Sequence, residues 1–308
     1  MATILEKALM NRIERASRRV VWQTPMDKIA SIAGIYEVIG DYTRPEGVAV
    51  HGLGLARHRN GGLVVEAYCE CASAQQSQAR RSLSVLLEIP QTAIAIVPCW
   101  GFRPQVGLGD PGAHHALAAR GSFGTVGGFA GDLQSPLILA VSNNHVFADC
   151  NQSTQNDPLI TSSGQFGGLR RFRPIVSQPA VNDLDGAVGW VRSDEEITTP
   201  AVVVGSRPAM RGLRVHKFGA ASGHTTGVVV ATAATAAVPY PGIGTANFHR
   251  CLRIVGDDGP FSVRGDSGSL VLDQRNAVVG IVFAGDETGG YSLANHVDAL
   301  TGHLNIAF

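Results

Sequence analysis

From Gly121 onward the chain is written in short runs rich in strand-forming residues, each cut off by Gly, Asn, Asp or Pro. The runs GTVGGFA, LILAVSNN, DGAVGWV, PAVVVGS, TTGVVVATA, FHRCLRI, SLVLD, AVVGIVFAG and YSLANHV predict strands, at intervals that suit a barrel or a sandwich. Only residues 297–305 carry a helical pattern, enough for one closing turn. With 37 glycines and 16% charged residues, the chain favours tight turns and buried sheet over long solvated helices. No fixed-period repeat interrupts this half.

The first hundred residues differ. Leu5, Leu9, Ile13 and Val20 recur at helical spacing, with Lys7, Arg12, Arg15, Arg18 and Arg19 on other faces, which predicts an amphipathic helix over residues 1–22. Residues 26–39 carry a second, shorter helical pattern. From Gly47 the period becomes two. GVAVHGLGLARH and GGLVVEAYCEC predict a hairpin turning at Asn60–Gly61–Gly62. A helix over 74–88, stopped by Pro90, and a strand in TAIAIVPCW complete a small α+β unit over about residues 25–100. Residues 101–122 read as an irregular Gly/Pro connection. Gly107, Gly109 and Gly112 form a GxGxxG there, without the strand–turn–helix context that a dinucleotide site needs.

Lys plus Arg and Asp plus Glu balance at 25 each, so no global field favours nucleic acid or an acidic membrane surface. Cys69, Cys71, Cys99, Cys150 and Cys251 are scattered, with no CxxC pair and no zinc-finger histidine spacing. They are expected to be buried thiols, and no metal or organic cofactor is expected. Glu6 and Glu14 interrupt the N-terminus, and no run of about twenty apolar residues occurs. The expectation is a cytoplasmic chain without signal peptide or membrane span.

The stretch that carries chemistry is Gly265–Ser269, GDSGS. A small-residue turn presents the Ser267 hydroxyl, and the N–H groups of Gly265 and Ser267 can point at one oxyanion. Serine is a weak nucleophile at neutral pH and needs a base with an orienting group behind it. His145 in AVSNNHVFAD stands where an apolar strand breaks, which holds an imidazole rigidly with one edge open. Asp185 in NDLDGAVGWV opens an apolar strand, with small Gly186 and Ala187 beside it. Asp183, two residues away, is its rival for the orienting role.

The order His145, Asp185, Ser267 and the motifs SNNHV, DGAV and GDSGSLV resemble the chymotrypsin-like double β-barrel serine peptidases. Residues 101–308 look like the bacterial trypsin-like proteases related to the plant narrow-leaf type, in which a small α+β domain commonly precedes the protease. The resemblance implies a mainly β, chymotrypsin-like double β-barrel preceded by a small α+β N-terminal domain. Residues 1–100 would be regulatory or recruiting, 101–200 the first barrel with His145 and Asp185, and 201–308 the second barrel with Ser267. It implies a serine endopeptidase with Ser267 as nucleophile, His145 as general base and acid, Asp185 as orienter, and Gly265 and Ser267 as oxyanion-hole donors. Phe261 would lie near the floor of the substrate pocket. Phe283, Ala284 and Gly285 would form a wall on which an extended substrate pairs as an added strand. A Phe261 floor implies apolar or small side chains rather than basic ones, although Asp286 lies close by in sequence. Expected partners are a protein or peptide substrate and a regulatory protein acting through the N-terminal domain.

Three positions depart from the pattern. Val146 stands where many secreted relatives have a cysteine, Ser269 replaces a glycine, and Asp266 has no cleavage junction to supply a new N-terminus. An internal donor is therefore expected for Asp266. The alternatives are a silent protease-fold binding protein and an esterase. The esterase lacks the GxSxG elbow of the α/β hydrolases.

Overall fold

The computed structural model describes residues 49–57, 63–70, 75–87, 90–99, 102–104, 107–108, 115–117, 122–161, 164–192 and 201–308. The helices expected over 1–22 and 26–39, the turn at 60–62, Cys71, Gly109 and Gly112 lie outside them. No described helix is long and apolar enough to cross a membrane.

The chain begins its described course with β1 (Ala49–Arg57), β2 (Leu63–Glu70), α1 (Gln76–Leu87), β3 (Ile94–Pro98) and β4 (Phe102–Pro104). Ala79 and Leu83, four apart, are the buried face of α1. β1 and β2 pair antiparallel, from Ala49↔Glu70 to Arg57↔Leu63, and β3 joins β2 in parallel across α1.

A nine-stranded sheet follows, built from β5 (Gly107–Leu108), β6 (His115–Leu117), β7 (Ser122–Thr125), β8 (Gly128–Asp132), β9 (Ile138–Ser142), β10 (Pro158–Thr161), β11 (Gly164–Phe172) and β13 (Ala187–Val191). The C-terminal β20 (Ile306–Ala307) completes it, in the order β20-β8-β9-β13-β11-β10-β6-β7-β5. A four-residue helix, α2 (Asn144–Phe147), leaves β9, and the short β12 (Val181–Asn182) pairs outside this sheet. Val126, Ala140, Val146, Phe147, Leu159, Phe166, Leu169 and Ala187 fill its interior. β10 and β11 are absent from the runs expected above. Their signal is masked by glycine: a Cβ on Gly168 would lie 2.7 Å from the Trp190 ring, so a strand former is excluded there by contact.

The second sheet contains β14 (Arg214–Gly219), β15 (Gly223–Tyr240), β16 (Gly244–Gly256), β17 (Leu270–Asp273), β18 (Val278–Asp286) and β19 (Ser292–His296). These pair in the order β16-β19-β18-β17-β14-β15, and β15 returns to β16, which closes a six-stranded barrel. Val215, Val229, Leu252, Ile254, Phe261, Val271, Val279 and Val282 fill it. The run PAVVVGS forms no strand. Val202 and Val204 are exposed, and the segment's pairing with β18 is limited to Ser206 opposite Val278, where Gly205 O accepts the Val278 N–H at 2.8 Å.

The two barrels share a core in which Leu139, Val141 and Val188 meet Leu270, Leu272 and Ile281. α3 (Val297–Leu304) packs into the same core and ends at Asn305, in the left-handed conformation. β20 then pairs with β8 at Ile306↔Asp132, so the C-terminus straps the second barrel to the first. The described residues thus form a mainly β fold of two sheets packed on a shared core, the second closed into a barrel.

The 18 residues of β15 exceed the length of its neighbours. Its first part pairs with β14, from Gly219↔Gly223 to Arg214↔Val228. Its later part takes β1, at Gly52↔Ala236 and Leu53↔Thr235. β1, β2 and β3 thereby continue the sheet of the second barrel. A buried ion pair reinforces the join: Arg253 Nη1 on β16 lies 2.9 Å from Glu66 Oε2 on β2. The Arg253 guanidinium also stacks on the Tyr68 and Tyr291 rings, 5.0 and 4.4 Å from their centroids.

Candidate active site

His145 is delivered by α2 rather than by the end of β9. Asn143, extended at φ −81° and ψ 159°, turns the chain out of the strand, and its Nδ2 donates to Asp185 O at 2.7 Å. The next residue fixes the turn from outside. Asn144 Nδ2 donates to Asn151 Oδ1 and to Arg173 O, both at 2.7 Å, and Asn144 Oδ1 accepts from the Asn151 N–H. The SNN preceding His145 is thus a hydrogen-bonded frame for the imidazole.

Asp185 stands just before β13 and meets that frame. Its Oδ2 lies 2.5 Å from His145 Nδ1, and its Oδ1 accepts the His145 backbone N–H at 3.3 Å. Asn295 Oδ1 accepts the Asp185 N–H at 2.9 Å. A carboxylate at Nδ1 places the ring proton there and leaves Nε2 as the basic nitrogen. Asp183 points elsewhere, accepting from His303 Nε2 at 2.8 Å. The two aspartates between β12 and β13 thus part company: Asp185 goes to His145 and Asp183 to α3.

A residue not anticipated from the sequence completes the group. Tyr240, at the end of β15, donates its hydroxyl to Asp185 Oδ2 at 2.7 Å, and its ring centroid lies 5.7 Å from that of His145. Burial, then the Asp185 charge, holds the Tyr240 phenol well above its ordinary pKa, so it stays a neutral donor. A run ending in VPY carries no motif. Only the barrel geometry brings residue 240 to residue 185. Cys150 lies in the same environment, and burial followed by the Asp185 charge pushes its thiol up to about 12. It is a buried thiol, and Cys69, Cys99 and Cys251 are buried as well.

Ser267 sits in the turn between Val263 and β17. Gly265 and Gly268 have φ of +105° and +96°. A Cβ on Gly265 would lie 2.7 Å from the Phe123 ring and 2.8 Å from Ala221 Cβ, so glycine is required by both backbone and space. Within the turn the Asp266 N–H donates to Val263 O and the Ser269 N–H to Asp266 O, while the Gly268 N–H donates to Val282 O on β18, which leaves the N–H groups of Gly265 and Ser267 outside this network. Thr125, on β7 of the first barrel, clamps the turn. Its N–H donates to Ser267 O at 2.7 Å and its Oγ1 donates to Gly265 O at 2.9 Å.

Asp266 is fully buried and heavily satisfied. Oδ1 accepts from the N–H groups of Ala221 and Ser222, while Oδ2 accepts from Ser222 Oγ at 2.6 Å and the Val263 N–H at 2.9 Å. Lys217 Nζ lies 3.0 Å from Oδ2 and supplies the internal cation.

No hydrogen bond joins Ser267 Oγ to His145 Nε2. Ser267 Oγ donates to Phe283 O at 3.1 Å, and His145 Nε2 is buried without a hydrogen-bond partner. Relative exposures are 0% for Ser267 and Asp185 and 2% for His145, so the group is closed to solvent in this conformation.

The expected pocket residues divide. The Phe261 ring belongs to the core of the second barrel, with Val215, Val229 and Leu252, because an apolar ring gains more there than in an open cleft. Phe283 and Ala284 are buried under Tyr68, Phe102 and Phe248. Gly285 does line a cleft of about 380 Å³, beside Ser262, Val263, Arg264 and Asp286. Asp286 and Glu287 are the acidic groups of that cleft, and Asp286 accepts from Cys99 Sγ at 3.7 Å and from Thr288 Oγ1.

The sequence matches no family model and no curated protein. Among solved structures, the chain is similar to the Nocardiopsis protease, with 20% identity over 64% of this chain and 96% of that one, and a TM-score of 0.47. Thermobifida fusca protease A is similar over 64% of this chain and 96% of its own, at 16% identity and a TM-score of 0.46. A Cellulomonas bogoriensis chymotrypsin is similar over 64% and 96%, at 16% identity and a TM-score of 0.43.

Proposed function

We propose that this chain is a serine endopeptidase that cleaves protein or peptide substrates through an acyl-enzyme. The observation that carries the reading is the buried pair of His145 Nδ1 and Asp185 Oδ2 at 2.5 Å, capped by Tyr240, next to the Ser267 turn. A buried carboxylate so placed serves no packing purpose, and it holds an imidazole with Nε2 basic.

In the working conformation Ser267 Oγ turns from Phe283 O toward His145 Nε2. Its oxygen attacks the substrate carbonyl carbon while the hydroxyl proton passes to Nε2. The N–H groups of Gly265 and Ser267 receive the developing oxyanion. The imidazolium, stabilised by Asp185, gives its proton to the leaving amine as the C–N bond breaks. Water then repeats the sequence on the acyl-enzyme and frees Ser267. No metal or organic cofactor takes part in these steps.

A second reading, a protease-fold binding protein without turnover, is favoured by one observation: Ser267 Oγ is engaged with Phe283 O and His145 Nε2 is buried. Labelling with a fluorophosphonate probe at neutral pH separates the two. The peptidase reading expects covalent labelling of the wild type and none of Ser267→Ala. A folded wild type that stays unlabelled, with and without candidate protein substrates, leaves the binding protein.

A further inference from the structure

The edge of the second barrel beside Ser267 is already occupied by the chain itself. β4 pairs antiparallel with the end of β18, in the register Ala284↔Pro104, Gly285↔Arg103 and Asp286↔Phe102. Phe283, whose carbonyl holds the Ser267 hydroxyl, is the next residue along that edge. An extended peptide reaching Ser267 by strand addition needs the same backbone groups that β4 uses.

The side chains of β4 have receptors of their own. Phe102 is 1% exposed, packs with Phe283 and Ala284, and meets the Tyr68 ring edge-on at 5.8 Å. Arg103 enters the 380 Å³ cleft, where its Nε lies 2.8 Å from Glu287 Oε1, with Asp286 lining the same wall. β1, β2 and β3 are built into the barrel through β15 and the Arg253–Glu66 pair. They anchor β4 from one side while three residue pairs hold it to β18.

We propose that Phe102–Pro104 is a resident pseudo-substrate. It occupies the peptide-binding edge of β18 in the closed form, and the substrates that displace it are extended peptides with a basic side chain opposite Gly285, facing Glu287 and Asp286. This rests on the peptidase reading above. It also accounts for the closed site: with the edge filled, Ser267 Oγ has Phe283 O as its partner and the three catalytic groups are shielded. The anchoring is adjustable, because the Arg103–Glu287 pair is half exposed, at 48% and 43% of the side chains. Such a pair contributes little to stability but enough to set an occupancy, on the order of a two- to five-fold effect.

The test uses the full chain and four forms: wild type, Arg103→Glu, Glu287→Lys, and the double charge swap. Each is assayed with a mixed extended-peptide library and with the fluorophosphonate probe, after its thermal melt confirms folding. The expected result is a rise of about two- to five-fold in kcat/KM for Arg103→Glu, and a return toward the wild-type rate in the swap, which rebuilds the pair with opposite polarity. Glu287→Lys and the swap should also exchange a preference for basic library members for one for acidic members. The synthetic peptide acetyl-Gly-Phe-Arg-Pro-amide should compete with substrate on Arg103→Glu more strongly than on wild type. Equal kcat/KM and unchanged preference in all four forms, with Ser267 labelled in each, would overturn the pseudo-substrate and leave the peptidase standing. Absence of labelling in all four overturns both.

Discussion

Lys217 Nζ and Asp266 Oδ2 stand 3.0 Å apart with both side chains wholly shielded from water. The pair ties β14 to the turn that carries Ser267, one residue away from it. Burial lowers the affinity of the Lys217 ammonium for its proton, and the Asp266 carboxylate opposes that loss. Ser222 Oγ lies 2.5 Å from Nζ and 2.6 Å from Oδ2, so one hydroxyl bridges both charges. The turn is therefore held by an internal cation, with no requirement for a free amino terminus at this point.

Removing the cation strands a buried carboxylate. Lys217→Met should destabilise the protein by about 3–5 kcal/mol, the cost of breaking a buried ion pair from one side. Urea unfolding followed by tryptophan fluorescence measures it. A loss under 1 kcal/mol would show that the hydrogen bonds from Ala221, Ser222 and Val263 suffice for Asp266.

The two aspartates flanking Leu184 have different partners and should respond differently. Asp185→Asn should lower kcat by about four orders of magnitude, because the amide favours the wrong imidazole tautomer. Asp183→Asn removes only a partly exposed contact to His303 and should leave kcat within about two-fold. Comparable losses in both would mean that Asp185 does not orient the base.

Tyr240→Phe keeps the ring and deletes the hydroxyl that donates to Asp185. A hydrogen bond to a charged group contributes about 1.5–3 kcal/mol, so kcat should fall about 10- to 150-fold with KM little changed. The alkaline limb of stability should move as well. The folded phenol is held above the ordinary value near 10, so its stabilisation is full below about pH 10 and is lost as pH rises beyond it. Chemical denaturation from pH 8 to 11 should show a shallower decline in Tyr240→Phe than in wild type.

Gly265→Ala places a methyl group against Phe123 and Ala221 in a backbone region that disfavours side chains. It should abolish fluorophosphonate labelling while the fold persists, with a destabilisation of about 1–3 kcal/mol. Full labelling of the alanine variant would show that the turn keeps its shape despite the contacts with Phe123 and Ala221.

At acid pH the C-terminal strap should give first. The Arg171 guanidinium, 2.6 Å from Asp132, and then the Ser135 hydroxyl hold the Asp132 carboxyl well below the usual carboxylate range. Arg171 also donates to the carbonyls of Leu304 and Asn305. A depressed carboxyl stabilises fully above about pH 4 and loses that contribution as pH falls. The stability gap between wild type and Arg171→Gln should therefore be widest near neutral pH and narrow on acidification toward pH 2. A gap independent of pH would assign it to the carbonyl contacts alone.

Much of the molecule is legible in its amino-acid order because the relevant physics is local. The apolar runs DGAVGWV, FHRCLRI, SLVLD, AVVGIVFAG and YSLANHV became β13, β16, β17, β18 and β19, since the preference for extended chain is a property of neighbouring residues. The helix expected over 74–88 is α1, bounded by Pro90, and the closing turn is α3. Small Gly186 and Ala187 favoured Asp185 over Asp183 for the orienting role, but spacing alone did not exclude Asp183.

Tertiary structure decided what depends on residues far apart in the chain. It sent Asp185 to His145 and Asp183 to His303, brought Tyr240 across 55 positions to the carboxylate, and paired Lys217 with Asp266. It also put the Phe261 ring into the barrel core and laid β4 along β18. None of these leaves a local signal. Closing a barrel chooses which distant edges meet, and a buried charge or an open strand edge takes whichever partner that closure supplies. The strands and the Ser267 turn were therefore written in the residues themselves, whereas the partners of His145, Asp185 and Asp266, and the occupant of the β18 edge, came only with the closed fold.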